Sequence, residues 1–201
     1  MSCIYKYKGK KYSEEQFKEY FINNKQEFAT SIAKNKDVID SFKRKMEGID
    51  FVFSQSPELA SIGSKAQYLQ YLSAIFPNSK VKDIVYHHSD TKITEFKKEF
   101  PEGYAAQKGV SPKAKFFLRK PLKEEFLSKR PHLGQYLINT INPNIMPVNA
   151  DRSAKRGNGI KEGIQDALDN NQDGAIFDNI WDNRAWSDVL VVFEPEQIHV
   201  L

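Results

Sequence analysis

Two neighbouring histidines, His87 and His88, followed by Ser89 and Asp90, stand where the apolar run Ile84-Val85-Tyr86 reaches a turn. Histidine is the side chain whose ordinary pKa lies closest to neutrality, so one at a strand end can bind, accept or donate. Adjacent side chains of an extended strand point to opposite faces, so His87 and His88 would not share a metal ion. His132 reads as a loop residue after Pro131 and His199 as a strand residue, and no metal site is expected.

Cations gather in two segments, Lys113, Lys115, Arg119, Lys120, Lys123, Lys129 and Arg130, then Arg152, Lys155, Arg156 and Lys161. If they converge on one face with Phe and Tyr nearby, phosphate contacts and stacking make RNA or a nucleoprotein a target. If they scatter, they serve solubility. Gly157-Asn158-Gly159, opening a helix, could cradle a phosphate, but the motif is short and follows no clear strand.

The elements that must position these residues are legible in order. Residues 2 to 12 alternate Tyr with Lys around Gly9, which predicts a hairpin or edge strand. Ser13 with Gln16, and Ser64 with Gln67, have capping-box spacing and open helices. Between them Phe28, Ile32, Ile39, Phe42 and Met46 share a helical face over 25–47, and Gly48 closes it. Beyond the histidines, the pattern predicts a short helix over 93–100, a strand at 116–118, a helix from 122 to 129 and a strand over 135–141. A mobile loop over 147–159, a helix over 160–168 and strands at 175–177, 188–193 and 198–201 follow. Short strands separated by short helices, with helices gathered at the N-terminal end, describe an α+β protein.

Forty per cent apolar residues, with 14 Phe and 9 Tyr, are enough to bury a core across 201 residues. Thirty Lys and Arg against 26 Asp and Glu give a net charge of +4, which permits an anionic partner without demanding one. The single cysteine, Cys3, excludes an internal disulfide and a CxxC site, as suits a reducing compartment. No apolar run approaches the roughly 18 residues of a membrane span, and the start lacks a secretory pattern, so a cytoplasmic location is expected.

Several segments carry a resemblance. They are Phe53 to Gly63, Gln67 to Leu72, Ile75-Phe76-Pro77-Asn78-Ser79 through His87, Leu137 to Pro143, Asp173 to Ile176, and Ser187 to Ile198. Together they resemble the ADP-ribosyltransferase-like domain of the large polyvalent proteins of phages and mobile elements. The resemblance divides the chain into a helical N-terminal extension with a short hairpin, 1–52, and an ADP-ribosyltransferase-like domain, 53–201. It implies split sheets around a cleft that holds NAD. It also implies a histidine on the nicotinamide ribose, an aromatic stacked on the nicotinamide, and an acid steadying the cationic sugar as nicotinamide leaves.

On this chain the implied cofactor-binding residues are His87, His88 and Phe117, and the implied catalytic residues are His87 and Asp188. His88 stands where the family has glycine, and Phe117 where it has tyrosine. Val189 stands where the acid belongs, which turns Asp188 to the opposite side of the strand. These departures favour a degenerate member without cofactor that acts by binding. Its partner would be a host protein or ribonucleoprotein, for instance a CRISPR-type defence complex that it inhibits. The alternative is an active NAD-dependent mono-ADP-ribosyltransferase.

Overall fold

Strand alternation sorts the apolar side chains onto two faces of one sheet. In this computed structural model the described residues are 5–7, 10–24, 43, 48–55, 59, 63–103, 109–122, 130–146, 148–149, 159–182 and 185–201. Among them the strands are β1 (Tyr5–Tyr7), β2 (Lys10–Tyr12), β3 (Val85–Ser89), β4 (Lys115–Leu118), β5 (His132–Ile138), β6 (Asn144–Ile145), β7 (Val148–Asn149), β8 (Gly174–Asp182), β9 (Ala185–Val192) and β10 (Ile198–Val200). The helices are α1 (Glu14–Asn23), α2 (Ile49–Gln55), α3 (Lys65–Ile75) and α4 (Ile160–Asp169).

Seven strands form a mixed sheet in the order β10-β5-β3-β4-β9-β8-β6, antiparallel throughout except for the β6–β8 pair. Where split sheets were expected, β3, β4 and β9 are contiguous neighbours. A second sheet, β2-β1-β7, joins the N-terminal hairpin to the later chain, because β1 pairs in parallel with β7. The protein is α+β, as the element pattern predicts.

One face of the large sheet is covered by helices. Tyr68 and Leu72 of α3 pack on Ile84, Tyr86 and Leu137. Beside them Ile164 and Ala167 of α4 pack on Ala175, Phe177, Val189 and Val191. On the opposite face Val85, Phe117, Tyr136, Ile138, Ile176, Leu190 and Val192 form a separate cluster. Among the described residues no helix lies on it; Phe96 does, with Ile93 and Phe100 beside it.

Both capping boxes are present, with Ser13 and Gln16 serving α1 and Ser64 and Gln67 serving α3. The helix expected over 93–100 does not form, although its apolar spacing is helical. Its backbone is drawn to distant partners instead: the Phe100 N–H donates to the Pro112 carbonyl, and the Lys98 carbonyl accepts from Lys115 Nζ. β5 begins earlier than expected because residues 132 to 134 pair with Ser89, His88 and His87. The expected helices over 25–47 and 122–129 lie wholly or mostly outside the described residues, as does most of the loop over 147–159.

The segments that carried the resemblance meet in space. Gln197 accepts from the Phe193 and Glu194 N–H groups and donates to the Asn139 and Asp173 carbonyls. Asp173 accepts from the Ile141 and Asn142 N–H groups and from the Thr140 hydroxyl. Ser79 accepts from Thr140 N–H and donates to the Ile138 carbonyl. These residues act as a clasp that fixes where four chain segments cross.

At the start of β8, Gly174 lies so close to the Val191 carbonyl that a Cβ would overlap it. Because that neighbour is strand backbone, it cannot move without disturbing the β8–β9 ladder. Gly174→Ala is therefore expected to lower stability by about 1–3 kcal/mol, measured as a reduced urea midpoint.

Candidate functional site

The sheet register places the residues singled out by the sequence. Tyr86 pairs with Leu118, and Phe117 with Leu190. One row across the sheet therefore runs His87, Phe117, Leu190, Ile176 on the face that carries Phe96. The His87 Nδ1–H donates to the Phe116 carbonyl at 2.7 Å, which fixes the ring. Phe96 then packs on it edge-on, with centroids 5.5 Å apart, and also on Phe117 at 5.6 Å and Tyr136 at 5.3 Å. Phe117 is fully buried. In this arrangement the face against which a nicotinamide would stack is occupied by a phenylalanine from the chain itself, so the residues present do not fit NAD.

One step along β9, Asp188 shares the face of His87 and Phe117, and Val189 points to the helical side with Phe177 and Val191. This differs from the expectation that Asp188 turns away. Its carboxylate is engaged, however. Arg119, immediately after β4, reaches Asp188 with Nε at 3.5 Å, Asp178 with Nη2 at 3.6 Å, and Asp83 through a short hydrogen bond from Nη1. All four side chains are largely or wholly buried. The Arg119 N–H also donates to the Asp188 carbonyl at 3.3 Å.

Asp178 follows Ile176 on this face by strand alternation, and the extra residue in β8 between Phe177 and Ile180 then returns Ile180 to the helical side with Phe177. Burial opposes the charge on Arg119, but Asp83, Asp178 and Asp188 outweigh it and hold the guanidinium more firmly protonated than usual. Asp83 also helps raise the Tyr68 phenol above its ordinary value, with burial the larger cause.

His88 faces the helical side and is 6% exposed. Its Nε2 accepts the Leu122 N–H at 3.0 Å, so the neutral ring carries its proton on Nδ1. It ties β3 to the chain beyond β4. It does not occupy the face of His87, so it is no obstacle there.

Of the cations, Lys115 and Arg119 are turned inward and cannot contribute to a basic surface. Lys115 is 2% exposed, and its ammonium donates to the Lys98, Lys113 and Phe193 carbonyls. Lys113 is half-buried, while Lys120 and Arg130 are exposed. Arg130 lies near enough to both histidines to disfavour their protonation. Lys123, Lys129, Arg152, Lys155 and Arg156 lie outside the described residues. Among the described residues no group of three or more His, Cys, Asp or Glu is arranged to hold a metal ion, and no helix is long and apolar enough to cross a membrane.

Sequence reasoning overlooked Asp83, Asp178 and Phe96. An arginine two residues beyond a buried phenylalanine, on the same strand face, was a usable signal that carboxylates must meet it inside. No family model, curated protein or solved structure matches the chain.

Removing the guanidinium leaves three buried carboxylates facing one another. Arg119→Met is expected to destabilise by about 3–5 kcal/mol, whereas Lys120→Glu changes the urea midpoint little. Both histidines are also pushed below the usual value, chiefly by burial, with the hydrogen bond to the Phe116 carbonyl opposing in the case of His87. Between those lowered values and the unfolded value the unfolded chain binds more protons than the fold. Their stabilisation is full above about pH 6.5 and is lost as pH falls through the folded values. Urea midpoints should drop between about pH 7.5 and about pH 5.5, and less steeply in His88→Gln.

Proposed function

We propose that the chain has an ADP-ribosyltransferase-like architecture, that it is of phage or mobile-element origin, and that it works by binding. Its target in this reading is a host protein or ribonucleoprotein, such as an RNA-containing CRISPR-type defence complex that it inhibits in the bacterial cytoplasm. The observation that carries the loss of turnover is Phe96. Its ring rests against His87, Phe117 and Tyr136, the surface that a nicotinamide would need. The coupling of Asp188 to Arg119 argues in the same direction, since a carboxylate held by a buried cation is a weaker stabiliser of a cationic sugar.

For the binding role the exposed members of the two basic segments among the described residues are Lys120, Arg130 and Lys161, with Lys113 half-buried. Lys115 and Arg119 hold the fold together, so reversing them would unfold the protein rather than test binding. A second reading, an active mono-ADP-ribosyltransferase, is favoured by one specific observation. Asp188 shares a sheet face with His87 and Phe117, as a sugar-facing acid would.

Purified protein incubated with NAD is expected to release no nicotinamide above background, and label transfer to a host lysate should be absent. His87→Ala should keep the inhibitory effect on the host complex. Lys120→Glu with Arg130→Glu should weaken capture of that complex by about tenfold or more. Nicotinamide release that disappears in His87→Ala would establish the enzyme instead.

A further inference from the structure

Away from the large sheet, a groove of about 370 Å³ opens between β2 and α1, lined by Lys10, Lys11, Tyr12, Tyr20, Asn23 and Glu19 among others. Phe17, wholly buried, packs against two of the lining rings. Tyr12 meets Phe17 edge-on at 5.7 Å, Tyr20 stacks on Phe17 at 6.4 Å, and the two tyrosines touch at 5.5 Å. Both tyrosine rings are thereby held half-exposed on a fixed base. The capping box at Ser13 and Gln16 fixes the entry of α1, and Asn24 Nδ2 bonds the Tyr20 carbonyl, so the wall bearing Tyr20 is ordered as well.

The hairpin feeding this groove has an unbalanced charge. Residues 1–13 contain Lys6, Lys8, Lys10 and Lys11 and no acid. In the β1–β2 backbone register residue 6 stands opposite Lys11. The same register sets Tyr5 opposite Tyr12 and Tyr7 opposite Lys10.

We propose that this groove is a binding site for single-stranded nucleic acid, with phosphates on Lys10 and Lys11 and a base stacked on the Tyr12–Tyr20 wall. Fixed aromatic faces beside flexible ammonium groups suit a strand with accessible bases. Asn23 at the rim can serve a base edge. A duplex would present its phosphates and hide the faces of its bases. An acidic peptide would use the lysines and leave the rings idle. The site is separate from the His87 face and from Lys120 and Arg130, and it does not rest on the proposed function.

The test uses the full chain and fluorescence anisotropy with labelled RNA and DNA single strands of about 12 nucleotides. Binding should weaken steeply with salt. Lys10→Glu with Lys11→Glu should reduce affinity about tenfold or more, with an unchanged circular-dichroism melt. Tyr12→Leu should weaken binding while keeping the salt slope, Tyr12→Phe should restore it, and Lys97→Glu should be neutral. Lys120→Glu with Arg130→Glu should leave oligonucleotide affinity intact, so failure here is distinguishable from failure of the proposed function. The inference is overturned if the single strands do not bind at low salt, or if the lysine double variant binds as well as the parent. It is equally overturned if duplex or inorganic polyphosphate competes as well as the single strand, since bare charge would then explain the result.

Discussion

A single guanidinium, shut away from water among three carboxylates, is the constraint around which the sheet is arranged. Arg119 follows β4, Asp188 lies on β9, Asp178 on β8, and Asp83 just before β3. Four segments distant in sequence therefore meet around this one cation, whose loss would leave the acids buried without compensation. The neighbouring strand order then follows: β4 stands between β3 and β9, which lets one side chain reach partners on both sides.

This cluster alters the meaning of the residues that looked most chemical. In isolation Asp188 is a candidate acid and Arg119 a candidate RNA contact; together they form a buried ion pair. The same holds for Lys115, whose ammonium is surrounded by three backbone carbonyls, and for His88, which receives a backbone N–H. Polar groups that a sequence presents as reactive become fold determinants once burial obliges them to find partners. His87 is intermediate, since Nδ1 is committed to a carbonyl while its ring remains part of an aromatic cluster.

Much of the architecture was legible where local chemistry decides. The Ser13 and Ser64 caps, the α4 helix and the strands around Tyr86, Phe117 and Leu190 depend on neighbours a few residues away. What was illegible depends on distant partners. Phe96 has helical spacing, yet the backbone around it bonds Pro112 and Lys115 instead. β6 and β7 are two residues each, too short for a period to show, and exist because β8 and β1 offer them an edge. The extra residue in β8 could not be read either, since a bulge shows only against its partner strand.

The clasp at Gln197 has a consequence for biosynthesis. This one amide joins the chain at residues 193 and 194 to carbonyls at 139 and 173, and β10 closes on β5 directly after it. Contacts so far apart along the chain form slowly. While the ribosome still holds residues 193–200, β5 keeps one side open. Nascent protein at that stage exposes a pairing edge that the finished molecule covers, and this interval is when a chaperone would find something to hold.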